Sequence, residues 1–163
     1  MSVAQWLGGQ RVTAERLQEM LNKFSDFTPT LGVSSGTAPT YGNATVLCRY
    51  SQSGDLVTAH YNIVWGSTST FGTASGSSNW RFGLPVPAAA TTQATGVIFV
   101  ENGTAKRYPC RARFTSTTFM ELELAGGAPD SVAAANTGIC DAITPFTWND
   151  PDTLKGVIRY EAA

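Results

Sequence analysis

Hydrophobic and polar residues alternate along much of the chain after residue 26, with the two-residue period of β-strands. The clearest example is the segment 56–65. One predicted face of this strand carries Val57, Ala59, Tyr61, Ile63 and Trp65, and the other carries Thr58, His60 and Asn62. We expect the first set to be buried. The further predicted strands are 44–51, 79–85, 95–101, 104–114, 118–124 and 153–161.

Turn-forming residues separate these segments. Asn102-Gly103 predicts a tight hairpin, because a type I′ turn needs positive φ at both central residues. The Gly-, Ser- and Thr-rich residues 66–78 and the segment 125–136 predict loops, the first of them exposed. Hairpin-length connections between about eight strands favour antiparallel neighbours. The expected fold is therefore all-β: an antiparallel β-sandwich, jelly-roll-like, with a short N-terminal helix.

The helical period is confined to the first part of the chain. Apolar residues there recur at i, i+3, i+4 and i+7, namely Leu17, Met20, Leu21 and Phe24. Thr13 is the expected N-cap, and Val12 and Leu17 occupy the two positions of a hydrophobic staple. We predict a helix over 14–24, which needs a partner surface because three turns are marginal in water. This divides the chain into an N-terminal arm with its helix, residues 1–26, and a β-sandwich domain, residues 27–163.

Composition narrows the function classes. Charged residues are 14% of the chain, against about 25% in a typical soluble domain, and 11 basic residues face 12 acidic ones. No basic excess remains for phosphates, so we expect no nucleic-acid partner.

No run approaches the ~20 apolar residues of a membrane span, and residues 1–10 lack the pattern of a secretory signal, so we expect cytoplasmic synthesis and no membrane partner. Cys48, Cys110 and Cys140 are far apart without a CxxC pair, which predicts buried free thiols.

Candidate catalytic and metal-binding groups are few. His60 is the only histidine, so a Ser-His-Asp or Cys-His mechanism would have to use it, and it lies on the predicted polar face of a strand. Glu121 and Glu123 share one face, as an acid–base pair or half of a calcium site would require; the alternative is a solvent-facing strand edge. Asp150 and Asp152 around Pro151 could bind a cation together with backbone carbonyls; the alternative is a pair of turn residues. We therefore expect no enzyme activity, no metal site and no cofactor.

Four aromatic residues flank or lie within the loop 66–78: Trp65, Phe71, Trp80 and Phe82. We expect three of them to pack in the core. Phe71 lies inside the loop and is the ring expected to be open to solvent, where it could stack on a sugar. This pattern supports an alternative function, a host-surface glycan- or receptor-binding module formed by the loops 66–78 and 125–136.

A series of short segments carries a further signal. They are Gly9–Ala14 leading into the predicted helix, Phe27–Leu31, Arg49–Gly54, Trp65–Ser69, Trp80–Val86 and Gly156–Ala163. Together they resemble the small virion accessory proteins of tailed bacteriophages, that is, minor tail and head-decoration proteins. The resemblance implies a non-enzymatic, usually trimeric β-domain that is held on the particle by its N-terminal segment. It transfers no functional residue, because no shared active site of the family maps onto this chain.

These observations lead to the hypothesis of a bacteriophage virion structural protein, made in the host cytoplasm and displayed at the virion surface as a capsid decoration or minor tail protein. Lysines that would blunt exposed strand edges occur only at positions 23, 106 and 155, which favours a homo-oligomer, expected to be a homotrimer. The other expected partners are the major capsid or tail proteins. The arm would form the anchor and the oligomer seam through its apolar residues: Trp6, Leu7, Val12, Leu17, Met20, Leu21 and Phe24.

Overall fold

The computed structural model describes residue 13 and residues 23–91, 94–103, 106–124 and 138–163. Within these ranges the chain forms ten β-strands and no helix. The strands are β1 (Ser25–Phe27), β2 (Leu31–Val33), β3 (Thr45–Val46), β4 (Cys48–Ser53), β5 (Leu56–Val64), β6 (Trp80–Gly83), β7 (Thr95–Asn102), β8 (Lys106–Arg113), β9 (Phe119–Leu124) and β10 (Thr153–Glu161). The predicted all-β class is confirmed.

The strands form one antiparallel sheet in the order β1-β4-β5-β10-β7-β8-β9-β6-β2, and β3 pairs additionally with β5. Strand β10 is central: it pairs with β5 over Thr153–Glu161 and with β7 over Thr153–Arg159. β1 and β2 stand at opposite ends of this order, yet only residues 28–30 connect them. A connection this short spans at most about 14 Å. The sheet therefore curls until its two ends come near each other.

The inner face of the curled sheet holds the core. The alternation predicted for β5 is confirmed, because its inward residues are each at most 1% exposed: Val57, Ala59, Tyr61, Ile63 and the adjoining Trp65. The Tyr61 hydroxyl donates a hydrogen bond of 3.2 Å to the Gly83 carbonyl, which links β5 to β6 through the interior. Full burial of each large apolar side chain stabilises the fold by about 1.5–3 kcal/mol.

A cluster of three tryptophans completes this core. Trp65, Trp80 and Trp148 are at most 2% exposed, and their ring centroids lie 5.0–6.4 Å apart. The Trp148 Nε1 donates to the Asp141 carbonyl at 2.9 Å, whereas the buried Trp65 Nε1 has no hydrogen-bond partner among the described residues. The cluster attaches the segment 140–152, which contains no strand, to the sheet.

Two finer parts of the fold prediction, the jelly-roll layering and the N-terminal helix, are not confirmed. The strand order describes a single curled sheet, and a two-layer jelly-roll sandwich is not confirmed. Lys23 and Phe24 are not helical, and β1 begins at Ser25, inside the segment that was assigned to the arm. The rest of the predicted helix 14–24 lies outside the described residues.

The predicted hairpin joins β7 to β8, but with a longer connection. Asn102 pairs with Lys106, so three residues lie between the paired positions in place of the two expected. The Asp152 carboxylate contacts the start of this connection. It accepts a hydrogen bond of 3.1 Å from the Gly103 N–H, and its other oxygen lies 3.5 Å from the Asn102 Nδ2. A residue about 50 positions away therefore holds this turn.

Candidate functional site

We use the term outer face for the side of β4, β5, β10 and β7 that points away from the core. One row across this face runs from Arg49 through His60 and Val157 to Val97, which are in register on the four neighbouring strands. These positions alternate with buried residues along each strand, as side chains of a strand must. The structure therefore places His60 on the outer face, as the alternation of β5 predicted.

Phe24 is the one predicted anchor residue that the structure describes, and it lies against the outer face. Its ring meets the His60 ring edge to face, with 4.8 Å between centroids, and the Arg49 guanidinium carbon lies 5.6 Å from the Phe24 ring. Phe24 is nevertheless 47% exposed. The remaining predicted anchor residues lie outside the described residues: Trp6, Leu7, Val12, Leu17, Met20 and Leu21.

An apolar patch lies beside His60 on the outer face. We define the apolar patch as Val97, Phe99 and Val157, which belong to β7 and β10. Val97 and Val157 are direct partners in register, and Val97 and Phe99 are 45% and 38% exposed. The other outward residues of these two strands are polar or charged. Val97, Phe99 and the half-buried Val157 therefore form a small apolar area within polar surroundings.

Sequence analysis missed this patch, although the chain contains a signal for it. Residues 97–100 are four consecutive apolar residues, Val-Ile-Phe-Val. Successive side chains of a strand point to opposite faces, and only one face of this sheet packs on the core. Only two of the four side chains can therefore be buried there. Ile98 and Val100 are fully buried, which leaves Val97 and Phe99 on the outer face.

The charges around the apolar patch are unevenly paired. Glu101 forms an ion pair with Arg107, whose guanidinium carbon also lies 5.8 Å from the Phe99 ring. Arg49 and Arg159, on the other side of the patch, have no ion-pair partner among the residues that the structure describes. Arg49 lies two strands from Val157 and directly opposite Asp26 of β1, so the charges on this side of the patch are mixed.

A cavity of about 740 Å³ opens between β1, β3, β4 and β5, next to the outer face. Its lining includes Asp26, Leu47, Arg49 and Asn62. Leu47 is 62% exposed, and the buried Asn62 Oδ1 has no hydrogen-bond partner in the described part of the chain. The described lining holds no nucleophile in hydrogen-bond contact with a base. One unpaired amide oxygen does not define a class of ligand.

The two glutamates of β9 form ion pairs, so the expectation of a solvent-facing strand edge is wrong for Glu121. This residue is 3% exposed, because Arg81 on the neighbouring strand covers it and donates from Nε to Oε1 at 3.1 Å. The Arg81 guanidinium carbon also lies 4.5 Å from the Phe119 ring. Glu123 accepts a hydrogen bond of 2.8 Å from Arg111, and this bond lowers the pKa of Glu123. Both carboxylates are therefore engaged by cations of neighbouring strands.

The three cysteines are free and buried, as predicted. The Sγ atoms of Cys110 and Cys140 lie 3.9 Å apart, and this contact together with burial raises the pKa of Cys140. Burial raises the pKa of Cys48 as well. Because the thiolate is the reactive form, Cys48 and Cys140 are poor nucleophiles at neutral pH. In the described ranges, no group of three or more His, Cys, Asp or Glu residues is placed to hold a metal ion.

The aspartates before β10 are turn residues. Asp152 is 2% exposed and accepts a hydrogen bond of 2.7 Å from the Asn149 N–H, in addition to the bond from Gly103. Burial raises the pKa of Asp152. Asp150 is exposed in the same turn. The contacts of Asp152 are those of a carboxylate that closes a turn.

Phe71 is not the open ring that the loop composition suggested. It is half-buried, stacks on Trp80 with 6.2 Å between centroids, and meets Trp65 edge to face at 5.6 Å. Hydrogen bonds hold its loop against an earlier segment: the Asn43 Oδ1 accepts from the Thr68 N–H at 2.9 Å. Phe71 therefore belongs to the aromatic cluster, and binding of a glycan by this loop stays a prediction.

Comparisons with protein families, with curated proteins and with solved structures found no match. Among the residues described, none forms a helix long and apolar enough to cross a membrane.

Proposed function

We propose that this chain is a non-enzymatic structural protein of a bacteriophage virion, a homotrimeric β-domain that decorates the capsid or belongs to the tail. The observation that carries the proposal is the exposed apolar patch beside Phe24 on the outer face. Such a surface is suited to permanent contact with another protein chain. That the other chain belongs to a bacteriophage virion is inferred from the resemblance of the short sequence segments to virion accessory proteins.

The titratable groups support an assembly role over a catalytic one. Glu121 and Glu123 are held by arginines, and Asp152 closes a turn. The Cys48 and Cys140 thiols are buried with raised pKa values. Catalytic groups need free access to a substrate and hydrogen-bond contact with one another, which these residues do not have. Their contacts instead stabilise the sheet.

Attachment to the particle is assigned to the N-terminal arm, with major capsid or tail proteins as partners. The arm carries the apolar stripe that ends at Phe24, and the structure brings Phe24 to the outer face. Burial of each large side chain of this stripe would contribute about 1.5–3 kcal/mol before the cost of ordering the arm. The protein would then act at the virion surface.

Removal of the arm tests this function. The deletion should stop at residue 22, because β1 begins at Ser25 and Phe24 contacts His60. We expect the full chain to be a trimer by light scattering and to cosediment with particles assembled without it. The shortened chain should keep its β-type circular dichroism but be monomeric and fail to cosediment. A full chain that is monomeric and does not bind particles would refute the proposal, as would a shortened chain that still trimerises and binds.

A further inference from the structure

One asparagine of the chain stands in a sequence context that favours reaction with its own backbone. Of the seven asparagines, only Asn102 is followed by glycine. A backbone nitrogen can attack the side-chain amide carbon of the asparagine before it and form a five-membered imide. Glycine at the second position favours this attack, because it has no Cβ to hinder the approach or to restrict the backbone rotation. Asn102–Gly103 is therefore the least hindered place in the chain for this reaction.

The structure leaves space around Gly103. This residue begins the connection between β7 and β8 with a φ of 50°. Apart from its chain neighbours, no described atom lies within 4 Å of the place where a Cβ would be. Glycine passes readily between left-handed and right-handed backbone conformations. The Gly103 nitrogen can therefore turn towards the side chain of Asn102 without displacing another part of the sheet.

The Asp152 carboxylate contacts both the attacking nitrogen and the group that leaves. Its Oδ1 accepts a hydrogen bond of 3.1 Å from the Gly103 N–H, and its Oδ2 lies 3.5 Å from the Asn102 Nδ2. The same Oδ2 accepts a hydrogen bond of 2.7 Å from the Asn149 N–H, which fixes the orientation of the carboxylate. General acid–base catalysis needs a titratable group within reach of the proton that moves. Here one carboxylate reaches both ends of the proton transfer.

We propose that Asn102 is a self-modification site of this chain and that Asp152 is its catalytic acid–base residue. The Gly103 nitrogen gives its proton to Asp152 and forms a bond to the Asn102 Cγ. Asp152 returns the proton to Nδ2, and the bond between Cγ and Nδ2 breaks, so that ammonia leaves. Water then opens the imide at one of its two carbonyls, which gives aspartate or isoaspartate at position 102. The net change is the uptake of water and the loss of ammonia.

The surroundings of Asp152 suit both proton transfers. Asp152 is 2% exposed. Burial raises the pKa of Asp152 and the charge of Asp150 adds to the increase, although the hydrogen bonds from Asn149 and Gly103 oppose it. A carboxylate with a raised pKa is a stronger base towards a peptide N–H. Among the described residues, Asp152 has no ion-pair partner that would weaken it as a base.

Modification of Asn102 would loosen the end of the hairpin. Either product places a second carboxylate beside the buried Asp152, and two carboxylates at this separation repel each other. Isoaspartate also lengthens the main chain by one carbon atom, which disturbs the pairing of Asn102 with Lys106. The modified chain should therefore be less stable than the parent, with a lower urea midpoint.

Peptide mass mapping of the full-length chain during long incubation at neutral pH tests this inference. We expect conversion at Asn102 and not at the other six asparagines. It should be faster in the folded chain than in a synthetic peptide of residues 97–107, which has the same Asn-Gly pair and lacks Asp152. Asp152→Asn keeps the shape and an oxygen acceptor, and should slow conversion about 100-fold. Asp150→Asn, which alters the exposed carboxylate of the same turn, should leave the rate nearly unchanged.

Two results would overturn the inference. A folded chain that converts more slowly than the peptide would show that the fold protects Asn102. Equal rates in the parent and in Asp152→Asn, both with β-type circular dichroism, would remove the catalytic role of Asp152. If Asp152→Asn does not fold, the comparison of the parent with the peptide still decides. None of these measurements depends on the trimer or on a particle, so their failure leaves the proposed function untouched.

Discussion

Replacement of Glu121 by glutamine should destabilise the fold, because it removes the negative charge from a largely buried ion pair. Glu121 is 3% exposed and its partner side chain, Arg81, is 32% exposed. A hydrogen bond to a charged group contributes about 1.5–3 kcal/mol, and breaking a buried pair costs about 3–5 kcal/mol. In the variant, water still reaches Arg81 and Phe119 still faces its guanidinium, which reduces the cost of the unpaired charge. We therefore expect the free energy of unfolding to fall by about 2 kcal/mol. For a domain of 163 residues this corresponds to a melting temperature lower by about 4–8 °C.

The matched control is Glu123→Gln on the same strand. Its partner Arg111 is 50% exposed, so solvent and salt screen this second pair, and the urea midpoint should remain nearly unchanged. Both variants would be unfolded in urea at pH 7 and followed by tryptophan fluorescence, which reports on the buried tryptophan cluster. An equal decrease in the free energy of unfolding for the two variants would show that burial does not distinguish the two ion pairs. It would refute the assignment of a larger contribution to the Arg81–Glu121 pair.

The remaining predictions concern a close strand contact, an indole hydrogen bond and a buried phenol. Gly156→Ala would put a Cβ 2.2 Å from a backbone carbonyl of β7 and should destabilise by more than about 1 kcal/mol in urea, whereas Gly76→Ala, with open space around it, should be neutral. Trp148→Phe leaves the Asp141 carbonyl without its donor, and should lower the melting temperature more than Trp65→Phe does, since the Trp65 Nε1 has no partner in the described residues. Burial raises the pKa of Tyr160 to about 12. The folded state then keeps a proton that the unfolded chain releases above pH 10, so the urea midpoint should fall between pH 10 and 12, less steeply in Tyr160→Phe.

A specific result would contradict each of these predictions. A folded Gly156→Ala protein with the stability of the parent would mean that β7 and β10 are not so close. Equal melting temperatures for the two tryptophan variants would remove the role of the indole hydrogen bond. An identical alkaline profile with and without the Tyr160 hydroxyl would show that this phenol titrates normally in the folded state.

The elements that sequence analysis predicted well are those whose pattern is local. In β5 the inward and outward side chains alternate without exception, so the burial of Tyr61 and the outward position of His60 could be read from nine residues. The long strands β7 and β10 were also predicted, although their residues do not alternate as strictly: residues 97–100 are four consecutive apolar residues. The short end strands β1 and β2 were missed because three residues each are too few to display a period.

The features that sequence analysis missed depend on partners distant in the chain. Arg81 covers Glu121 from 40 residues away, and no property of the segment around Glu121 indicates this. Asn43 holds the loop of Phe71 from 25 residues away, and the Phe71 ring packs on Trp65 and Trp80 although most of the loop is exposed. The apolar patch is an intermediate case, since four consecutive apolar residues indicate it once the sheet is known to be one layer thick.

The central place of β10 has a consequence for how the molecule acquires its shape. Leu56 pairs with Glu161 and Val64 with Thr153, so the longest ladder of the sheet joins residues 105 to 89 positions apart. Until β10 has left the ribosome, the edges of β5 and β7 that pair with it have no neighbour and are open to mispairing with other nascent chains. Contacts of such long sequence separation also slow the search for the native topology. Productive expression should therefore respond to translation speed and to chaperone supply more strongly than the modest size of the domain suggests.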